Sequence, residues 1–473
     1  MHNVHTYSCL LDIRYIISKS YNGRKELGDI AHFYRAAKPL PSFLMYKEQT
    51  MDFSIKYFKD YISFHVDDSH PVKELLPHPC EEADIEEEEI RRALAHPISS
   101  ARLSEIVKAG EKVVIITSDV TRPVPSWLLI PCVLQELEAA GVREEDITVV
   151  FALGSHRHLT EEERERLAGE WAYHKVKCID SDPEDCVHLG TCRNGTSVDI
   201  FRTVAEADRR ILLGNVEYHY FAGYSGGMKA IMPGCASLAS IQSNHKNMIR
   251  PGAYAGHLDG NPVREDIEET AAYCPADFIV NVVLDDHKKI AYAAAGDPVA
   301  AHRDACRFLD GLYRVDIKKP ADVVIVSTGG YPKDINLYQA QKSIDNAKHA
   351  VKEGGIMIVA ASCHEGYGSA PFTRWIESYP TPEERIAAIH EHFELGGHKS
   401  AALGLVQQKC TIYLVTDMDD ALVRKANMVP FHDLQQAVDQ ALEKRGAKAS
   451  VYVIPVGGST LPMITADDSV NEK

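Results

Sequence analysis

The stretch that decides the fold reads KVVIITSDVTRPVP and covers residues 112–125. Its first six residues form a continuous run rich in β-branched side chains, which is typical of a strand with helices on both faces. The run ends in a polar turn, and a helix is predicted over residues 126–140. This strand–loop–helix order predicts a mostly parallel sheet with ligands bound at the carboxyl ends of its strands.

Further strands and helices are predicted on both sides of this unit. Before it, the pattern predicts a strand at 51–58, a hairpin partner at 61–65, and helices at 81–95 and 99–108. After it, the pattern predicts strands at 146–152, 209–215, 321–327, 355–361, 410–415 and 451–455 and helices at 160–168 and 336–352. We therefore predict an α/β protein of two domains, 51–315 and 316–473, each with a mostly parallel or mixed sheet flanked by helices. An N-terminal extension, 1–50, is predicted to precede them.

Composition and charge restrict the partners of this protein. The 51 basic and 68 acidic residues give a formal net charge of −17, and such a surface repels nucleic acid and anionic lipid. Eleven cysteines are scattered without a CxxC pair, which favours a reducing compartment over a disulfide framework or a thiolate zinc site. No apolar run approaches the roughly 18 residues of a membrane helix. We therefore expect a cytoplasmic protein without nucleic-acid or membrane partners.

Three predicted strands each end in a loop that carries a titratable side chain. Asp119 and Arg122 follow the first strand, His156 follows the second, and His219 follows the third. Because the carboxyl ends of parallel strands meet at one edge of a sheet, these side chains are expected to lie close together. Taken singly, an aspartate there is often a helix cap and an arginine a surface charge. Their coincidence across three loops favours a ligand site.

The third loop opens a stretch of unusual composition. Residues 214–245 read GNVEYHYFAGYSGGMKAIMPGCASLASIQSNH, with closely spaced glycines, two histidines and a single lysine, Lys229. Glycine lets a ligand approach the main chain, and a lysine on such a loop can pair with an anion or form a covalent link. A Walker-type phosphate loop is excluded, because Ala230 follows Lys229 where serine or threonine is required. A pyridoxal Schiff base on Lys229 remains open, as does an ordinary glycine-rich surface loop with His245 as a polar core residue.

A second polar group is predicted on the helix at 336–352. Tyr338, Gln339 and Lys342 lie three or four positions apart and share one face near the start of this helix. That face would present a cation and an amide beyond the end of the preceding strand. The alternative is a solvent-exposed polar face of the helix.

Five of these motifs together resemble the nickel-dependent lactate racemase family. They are SDVTRPVP (118–125), ALGSHR (152–157), EYHYFAGYSGGMKAIMPG (217–234), His245 and LYQAQKS (337–343). The resemblance covers about residues 51–458 in the order and spacing of the family. It implies a nickel-pincer nucleotide, a pyridinium-3,5-bisthiocarboxylic acid mononucleotide that holds Ni²⁺ through two sulfurs and a carbon. It implies further that Lys229 tethers this cofactor and that His245 is the protein ligand of nickel, a role that suits a neutral imidazole.

The resemblance also implies a reaction and a set of site residues. The reaction is inversion at C2 of a 2-hydroxy acid, lactate or a related or larger one, by hydride transfer to and from the cofactor. His156 and His219 would act as the catalytic acid and base. The turn formed by Asp119, Val120, Thr121 and Arg122 would offer backbone amides to the cofactor phosphate. The substrate carboxylate would be held by Arg122, Tyr338, Gln339 and Lys342.

Two further expectations follow from the resemblance. The active site is expected in the cleft between the domains, with a hinge near residues 310–320 that closes over the substrate. Other proteins that synthesise the nickel nucleotide are expected as partners. The lactate-specific members of the family have an aromatic wall in the second domain, but Trp375 in APFTRW lies too near Lys342 in sequence to match it, and the wall is not placed in this sequence.

Two other function classes compete with a racemase. A non-catalytic carrier of the nickel nucleotide would need Lys229 and His245 but would not need both His156 and His219. A nicotinamide-dependent dehydrogenase is disfavoured, because no G-x-G-x-x-G motif follows a strand with an acidic residue about 20 positions later.

Overall fold

The computed structural model describes residues 50–79, 86–285 and 287–465, which belong to one compact unit of the chain. The predicted extension at 1–50 lies outside the described residues except for Thr50, and so do residues 81–85 of the helix predicted at 81–95. Within the described ranges, no helix is both long and apolar enough to cross a membrane.

The described residues form twenty strands and fifteen α-helices. In chain order the strands are β1 (Thr50–Tyr57), β2 (Asp60–Asp67), β3 (Val72–Glu74), β4 (Val113–Ser118), β5 (Ile147–Ala152), β6 (Lys177–Asp180), β7 (Cys186–Thr191), β8 (Ser197–Phe201), β9 (Arg209–Asn215), β10 (Tyr218–His219), β11 (Gly223–Tyr224), β12 (Phe278–Leu284), β13 (Ile290–Gly296), β14 (Arg314–Ile317), β15 (Ala321–Ser327), β16 (Val351–Ala360), β17 (Thr411–Val415), β18 (Val429–Phe431), β19 (Val451–Ile454) and β20 (Leu461–Ile464). The helices are α1 (Glu86–Ala95), α2 (Leu103–Ile106), α3 (Ser126–Ala139), α4 (Glu161–Ala168), α5 (Glu170–Lys175), α6 (Arg202–Ala205), α7 (Leu238–His245), α8 (Pro262–Glu269), α9 (Ala300–Tyr313), α10 (Leu337–Ala347), α11 (Ala370–Ser378), α12 (Pro382–Glu391), α13 (Gly397–Lys409), α14 (Asp420–Lys425) and α15 (Leu434–Arg445).

The first large sheet contains six strands in the order β13–β12–β9–β4–β5–β6. All neighbours are parallel except β12 and β13. The first five residues of β4 are buried, because α-helices cover both faces of the sheet and form two separate apolar clusters with it. The parallel sheet predicted from the run at residues 112–117 is therefore confirmed.

The second large sheet has the order β18–β17–β16–β15–β19–β3, and all its pairs are parallel. It contains the strands predicted at 321–327, 355–361, 410–415 and 451–455. Its last strand, β3, comes from the N-terminal part of the chain. The predicted α/β class, with parallel or mixed sheets flanked by helices, is confirmed in both halves.

The N-terminal hairpin packs on the second sheet. β1 and β2 pair from Thr50↔Asp67 to Tyr57↔Asp60, as predicted. Their buried side chains Ile55, Phe64 and Val66 join an apolar cluster with the strands of the second sheet. In β2 the even-numbered residues Phe64 and Val66 therefore face inward, whereas the odd-numbered Tyr61 is exposed. Residues 50–74 thus pack with the second sheet, whereas residues 51–74 were predicted to belong to the first domain, 51–315.

Two predicted helices are shorter in the structure. The helix predicted at 99–108 is only α2, because residues on both sides of it adopt extended backbone angles. The helix predicted at 336–352 ends as α10 at Ala347, because Val351 already pairs with Ala321 as the first residue of β16.

In each large sheet there is one position from which successive strands of the chain are added first on one side and then on the other. In the first sheet it lies between β4 and β9, since β5 and β6 follow on one side and β12 on the other. In the second sheet it lies between β15 and β19. Ligands in open α/β sheets bind beyond the carboxyl ends of strands at such positions. The fold therefore predicts two crevices, one for each sheet.

Candidate functional site

A cavity lies beyond the carboxyl ends of β4 and β9, at the first of these positions. Its lining includes six residues singled out in the sequence: Asp119, Arg122, His156, His219, Lys229 and His245. They come from three strand-end loops, from a turn of 3₁₀ helix at Gly227–Ala230 and from the last residue of α7. The structure thus brings together the residues that the resemblance assigns to catalysis, tethering and metal binding.

The ring of Phe221 lies among three of these groups. Its centroid is 4.5 Å from that of His219 and 5.0 Å from that of His245, both in edge-on arrangements. The Lys229 Nζ lies 6.0 Å from the same centroid. One amine and two imidazoles therefore lie around a single buried apolar ring.

His156 is oriented by a buried carboxylate. Its Nδ1 lies 2.6 Å from Asp119 Oδ2, and Asp119 is only 3% exposed whereas the His156 side chain is 38% exposed. Burial alone would raise the pKa of Asp119, but hydrogen bonds from His156 and Thr121 lower it below its usual value. An ionised carboxylate accepts a hydrogen bond, so Nδ1 carries the proton. The Nε2 of neutral His156 is then free to accept one.

His219 has a different environment. It is partly buried, and the backbone N–H of Ala222 donates to its Nδ1 at 3.3 Å. Burial, with the positive charge of Arg122, lowers the pKa of His219 well below its usual value. The ring is therefore neutral at physiological pH, with its proton on Nε2.

Lys229 lies in surroundings that favour the neutral form of its amine. Burial, followed by the positive charges of Arg264 and Arg122, lowers its pKa well below the usual range. Arg264 is only 1% exposed and donates to the carbonyls of Ala222 and Tyr224. In the part of the chain that the structure describes, Lys229 Nζ has no hydrogen bond or ion pair. A neutral, unpaired lysine amine is the form that attacks a carbonyl-type carbon.

His245 fits the role of a metal ligand. It is 8% exposed, and its Nδ1 has no hydrogen-bond partner among the described residues. Burial, with the charge of Arg122, lowers its pKa well below the usual value. Phe393 contacts the ring from the second half of the chain, with centroids 5.4 Å apart. A neutral imidazole in an apolar setting is a suitable single donor for nickel that is otherwise held by its own organic ligand.

A second group of metal-binding side chains lies elsewhere, at Cys192, Asp266 and Glu269. Its carboxylates are already engaged, because Asp266 accepts from Asn194 and Thr196 and Glu269 pairs with Arg193. We therefore interpret this group as a set of hydrogen bonds and an ion pair that stabilise the fold.

The hairpin that carries His219 is held along its whole length. The carbonyls of residues 221–225 each accept a hydrogen bond: Phe221 from Asn261, Ala222 and Tyr224 from Arg264, Gly223 from the Gly256 amide, and Ser225 from His302. Gly223 has φ +77°, and a Cβ there would lie 2.1 Å from the His257 carbonyl oxygen. The backbone between His219 and Lys229 is therefore fixed by segments 256–264 and α9.

Two of the four substrate residues implied by the resemblance, Gln339 and Lys342, line a neighbouring cavity. This cavity opens at the corresponding position of the second sheet, beyond β15 and β19, and its lining also includes Asn215 and Glu217. Asn215 also lines the first cavity, so the two adjoin. Lys342 Nζ lies 3.5 Å from Glu217 Oε2. Tyr338 lines neither cavity, and its ring packs edge-on against Phe372.

The turn proposed for the cofactor phosphate already uses two of its amides. The Thr121 N–H donates to Asp119 Oδ1, and the Arg122 N–H donates to the Asp119 carbonyl. Helix α3 begins only at Ser126. The Thr121 hydroxyl also donates to Asp119 Oδ1, so a phosphate at this turn would rely on the Val120 amide and on the side chain of Arg122.

Comparison with known proteins gives the family of this chain. Residues 57–256 match the family described as lactate racemase N-terminal domain, and residues 316–461 match the lactate racemase C-terminal domain. The chain is 34% identical over 391 residues to a lactate racemase of Thermoanaerobacterium thermosaccharolyticum, covering 80% of this chain and 90% of that one. It is 33% identical over 423 residues to one of Lactiplantibacillus plantarum, covering 85% and 97%.

The chain belongs to the lactate racemase family. It is therefore an isomerase, and the resemblance drawn from the five motifs is confirmed. The solved structure of the lactate racemase apoprotein from T. thermosaccharolyticum matches with a TM-score of 0.78 at 33% identity, over 87% of this chain and all of that one. A protein from Thermotoga maritima, 19% identical, shares the fold with a TM-score of 0.59 over 82% of this chain and all of that one.

The sequence motifs did not include two residues that the fold brings to this site from the loop after α12. Leu395 lines the first cavity, and Phe393 contacts the ring of His245, the candidate metal ligand. Trp375 is buried, with its Nε1 2.5 Å from a Glu394 oxygen. The aromatic side chain that the second half contributes beside His245 is therefore Phe393. No periodicity marks that loop, so its position could be found only from the fold.

Asp310 anchors the His219 hairpin to α9, and we expect its removal to destabilise the protein. Its carboxylate accepts from the buried hydroxyls of Tyr218 at 2.8 Å and Tyr224 at 2.7 Å. Asp310→Ala leaves these donors unsatisfied and should lower the free energy of unfolding by about 1–3 kcal/mol, measured by urea denaturation. Asp310→Asn, which keeps an acceptor oxygen, should lose less than half of that. An unchanged midpoint in Asp310→Ala would refute the anchoring role.

Proposed function

We propose that this protein inverts C2 of a 2-hydroxy acid, lactate or a related or larger one, by hydride transfer to and from a lysine-tethered nickel-pincer nucleotide. The observation that carries the proposal is that the Lys229 amine, the His245 imidazole and the two candidate acid–base histidines line one cavity. When bound, the cofactor would supply the hydride acceptor. Lys229 would hold it covalently, and His245 would bind its nickel.

The two histidines would handle the hydroxyl proton. Asp119 holds His156 through Nδ1, which leaves Nε2 as the ring atom that can take the proton of the hydroxyl group as hydride leaves C2. His219 would serve the opposite face. To return a proton to the substrate oxygen on that face, His219 must be in its protonated form. Burial and nearby cations lower its pKa, and a bound carboxylate that offsets those cations would favour the protonated form in the complex.

The substrate carboxylate would be held by Arg122, Gln339 and Lys342, with Tyr338 nearby. The pKa of Glu217 indicates a surplus of positive charge there. Burial alone would raise this pKa, but the charges of Lys342, Arg122 and Lys288 lower it below its usual value. One carboxylate thus faces three cations. This local field would offset the repulsion of an anion by a protein of net charge −17.

Production together with the cofactor-biosynthesis proteins gives the direct test. Holoenzyme incubated with single enantiomers of 2-hydroxy acids of increasing size should form the opposite enantiomer, followed by chiral chromatography. Protein made without those partners should lack the added mass at Lys229 and should be inactive. Protein that carries the cofactor mass at Lys229 but inverts no 2-hydroxy acid would support a non-catalytic carrier instead. The proposal includes a cytoplasmic location, as expected from the scattered cysteines.

A further inference from the structure

Lys399 is a partly buried lysine that the family motifs do not include. It is the third residue of α13, and its Nζ donates to the Tyr338 carbonyl at 2.8 Å. The same ammonium lies 4.1 Å from the centroid of the Tyr338 ring. Tyr338 is the second residue of α10, so one side chain holds both the main chain and the ring of a residue assigned to substrate binding.

The surroundings of Lys399 are unfavourable for a cation. It lies at the amino-terminal turn of α10, where the helix dipole is positive. Among the described residues, no carboxylate lies within ion-pair distance of its Nζ, and Asp345, the acidic group that acts on it, is paired with Lys348 at 2.9 Å.

The charges around Lys399 come from both halves of the chain. Lys342 and Asp345 lie on α10, Arg122 on the loop after β4, and His398 on α13 beside it. Burial, followed by the charges of Lys342 and Arg122, lowers the pKa of Lys399 to about 7, and Asp345 opposes this shift. Arg122, Lys342 and Lys399 thus form a group of three cations, which we call the cation cluster.

We propose that Lys399 is a positioning residue of the substrate-carboxylate pocket, which orients Tyr338 and adds a third positive charge beside Arg122 and Lys342. This rests on the proposed function, in which Arg122 and Lys342 hold the carboxylate. The cluster is self-repelling without an anion, and a bound carboxylate reverses the sign of the local field.

A measurable consequence is proton uptake. At pH 7 a lysine whose pKa is about 7 is only partly protonated in the free protein. A carboxylate in the cation cluster raises that pKa, so part of a proton is taken up from the buffer when the anion binds. A lysine with a purely structural role would not produce this signal.

The test is calorimetric titration of lactate and pyruvate into holoenzyme and into unloaded protein at pH 7, in two buffers of different ionisation enthalpy. Wild-type protein should take up about 0.2–0.5 proton per anion. Lys399→Met should take up none and raise Kd and KM about 10-fold or more with a smaller change in kcat. Lys399→Arg, charged at every pH used, should restore Kd to within about 3-fold of wild type without proton uptake.

Lys409→Met is the matched control. Lys409 lies at the other end of α13 and also donates to a main-chain carbonyl, that of Lys348 at 2.7 Å. This variant should keep both the proton uptake and the Kd of wild type. Equal uptake in wild type and Lys399→Met, no uptake in wild type, or failure of Lys399→Arg to restore binding would overturn the proposal. Holoenzyme that binds the anions with this uptake but inverts no 2-hydroxy acid would overturn the proposed function alone.

Discussion

Replacing Lys229 with arginine is expected to abolish racemisation, to the level of protein that never received the cofactor. Arginine keeps a long cationic side chain, but its guanidinium stays protonated and is not a nucleophile at neutral pH. Burial and the charges of Arg264 and Arg122 lower the pKa of the wild-type amine, which favours its nucleophilic neutral form. Intact mass should show the added cofactor mass on wild-type protein and none on Lys229→Arg.

Lys246→Arg is the control for this variant. Lys246 lies next to His245 in sequence but is exposed, so its substitution should change neither the added mass nor the rate of inversion. A Lys229→Arg protein that carries the full added mass and inverts 2-hydroxy acids at the wild-type rate would refute the tether and, with it, the proposed function. Circular dichroism should confirm that both variants fold, since Lys229 makes no hydrogen bond in the described structure.

The sequence allowed much of the fold to be predicted, because its strands are buried on both faces. A strand such as β4, with five consecutive buried residues, needs a continuous apolar run, and that run is visible without any knowledge of its neighbours. The residues that follow such strands were predicted to meet for the same reason. The loops after three neighbouring strands of one sheet carry Asp119, His156 and His219, and all three residues line one cavity.

What could not be predicted depends on contacts between distant parts of the chain. The hairpin of β1 and β2 alternates as any half-buried hairpin does, and nothing in it specifies that it packs on a sheet formed by residues more than 250 positions later. Lys399 illustrates the same limit. In sequence it is one of many lysines, and only the approach of α13 to the start of α10 gives it a role.

The protonation states of the site residues were also outside the reach of the sequence. His156 and His219 are the same residue type in similar strand-end loops, yet their Nδ1 atoms are bound differently. One faces the Asp119 carboxylate and the other the Ala222 amide. Their opposite tautomers follow from these partners, which come from the tertiary fold and a local turn.

Replacing either histidine with asparagine is expected to lower kcat/KM for racemisation by about 10²–10⁴-fold, the range for loss of a general acid or base. The two enantiomers have equal free energy, so kcat/KM must fall by the same factor in both directions whichever histidine is changed. Progress curves started from each pure enantiomer should therefore give matching losses. The variants should still carry the cofactor mass, because Lys229 and His245 are intact.

Asp119→Asn separates the orientation of His156 from its proton chemistry. An asparagine amide can hold His156 with the wrong tautomer, so kcat/KM is expected to fall about 10-fold or more even though the residue stays polar and similar in size. Because Asp119 acts through His156, the double variant Asp119→Asn/His156→Asn should be no slower than His156→Asn alone. Multiplicative losses in the double variant would instead mean that Asp119 acts independently, for example on the cofactor phosphate turn that its carboxylate organises through Thr121.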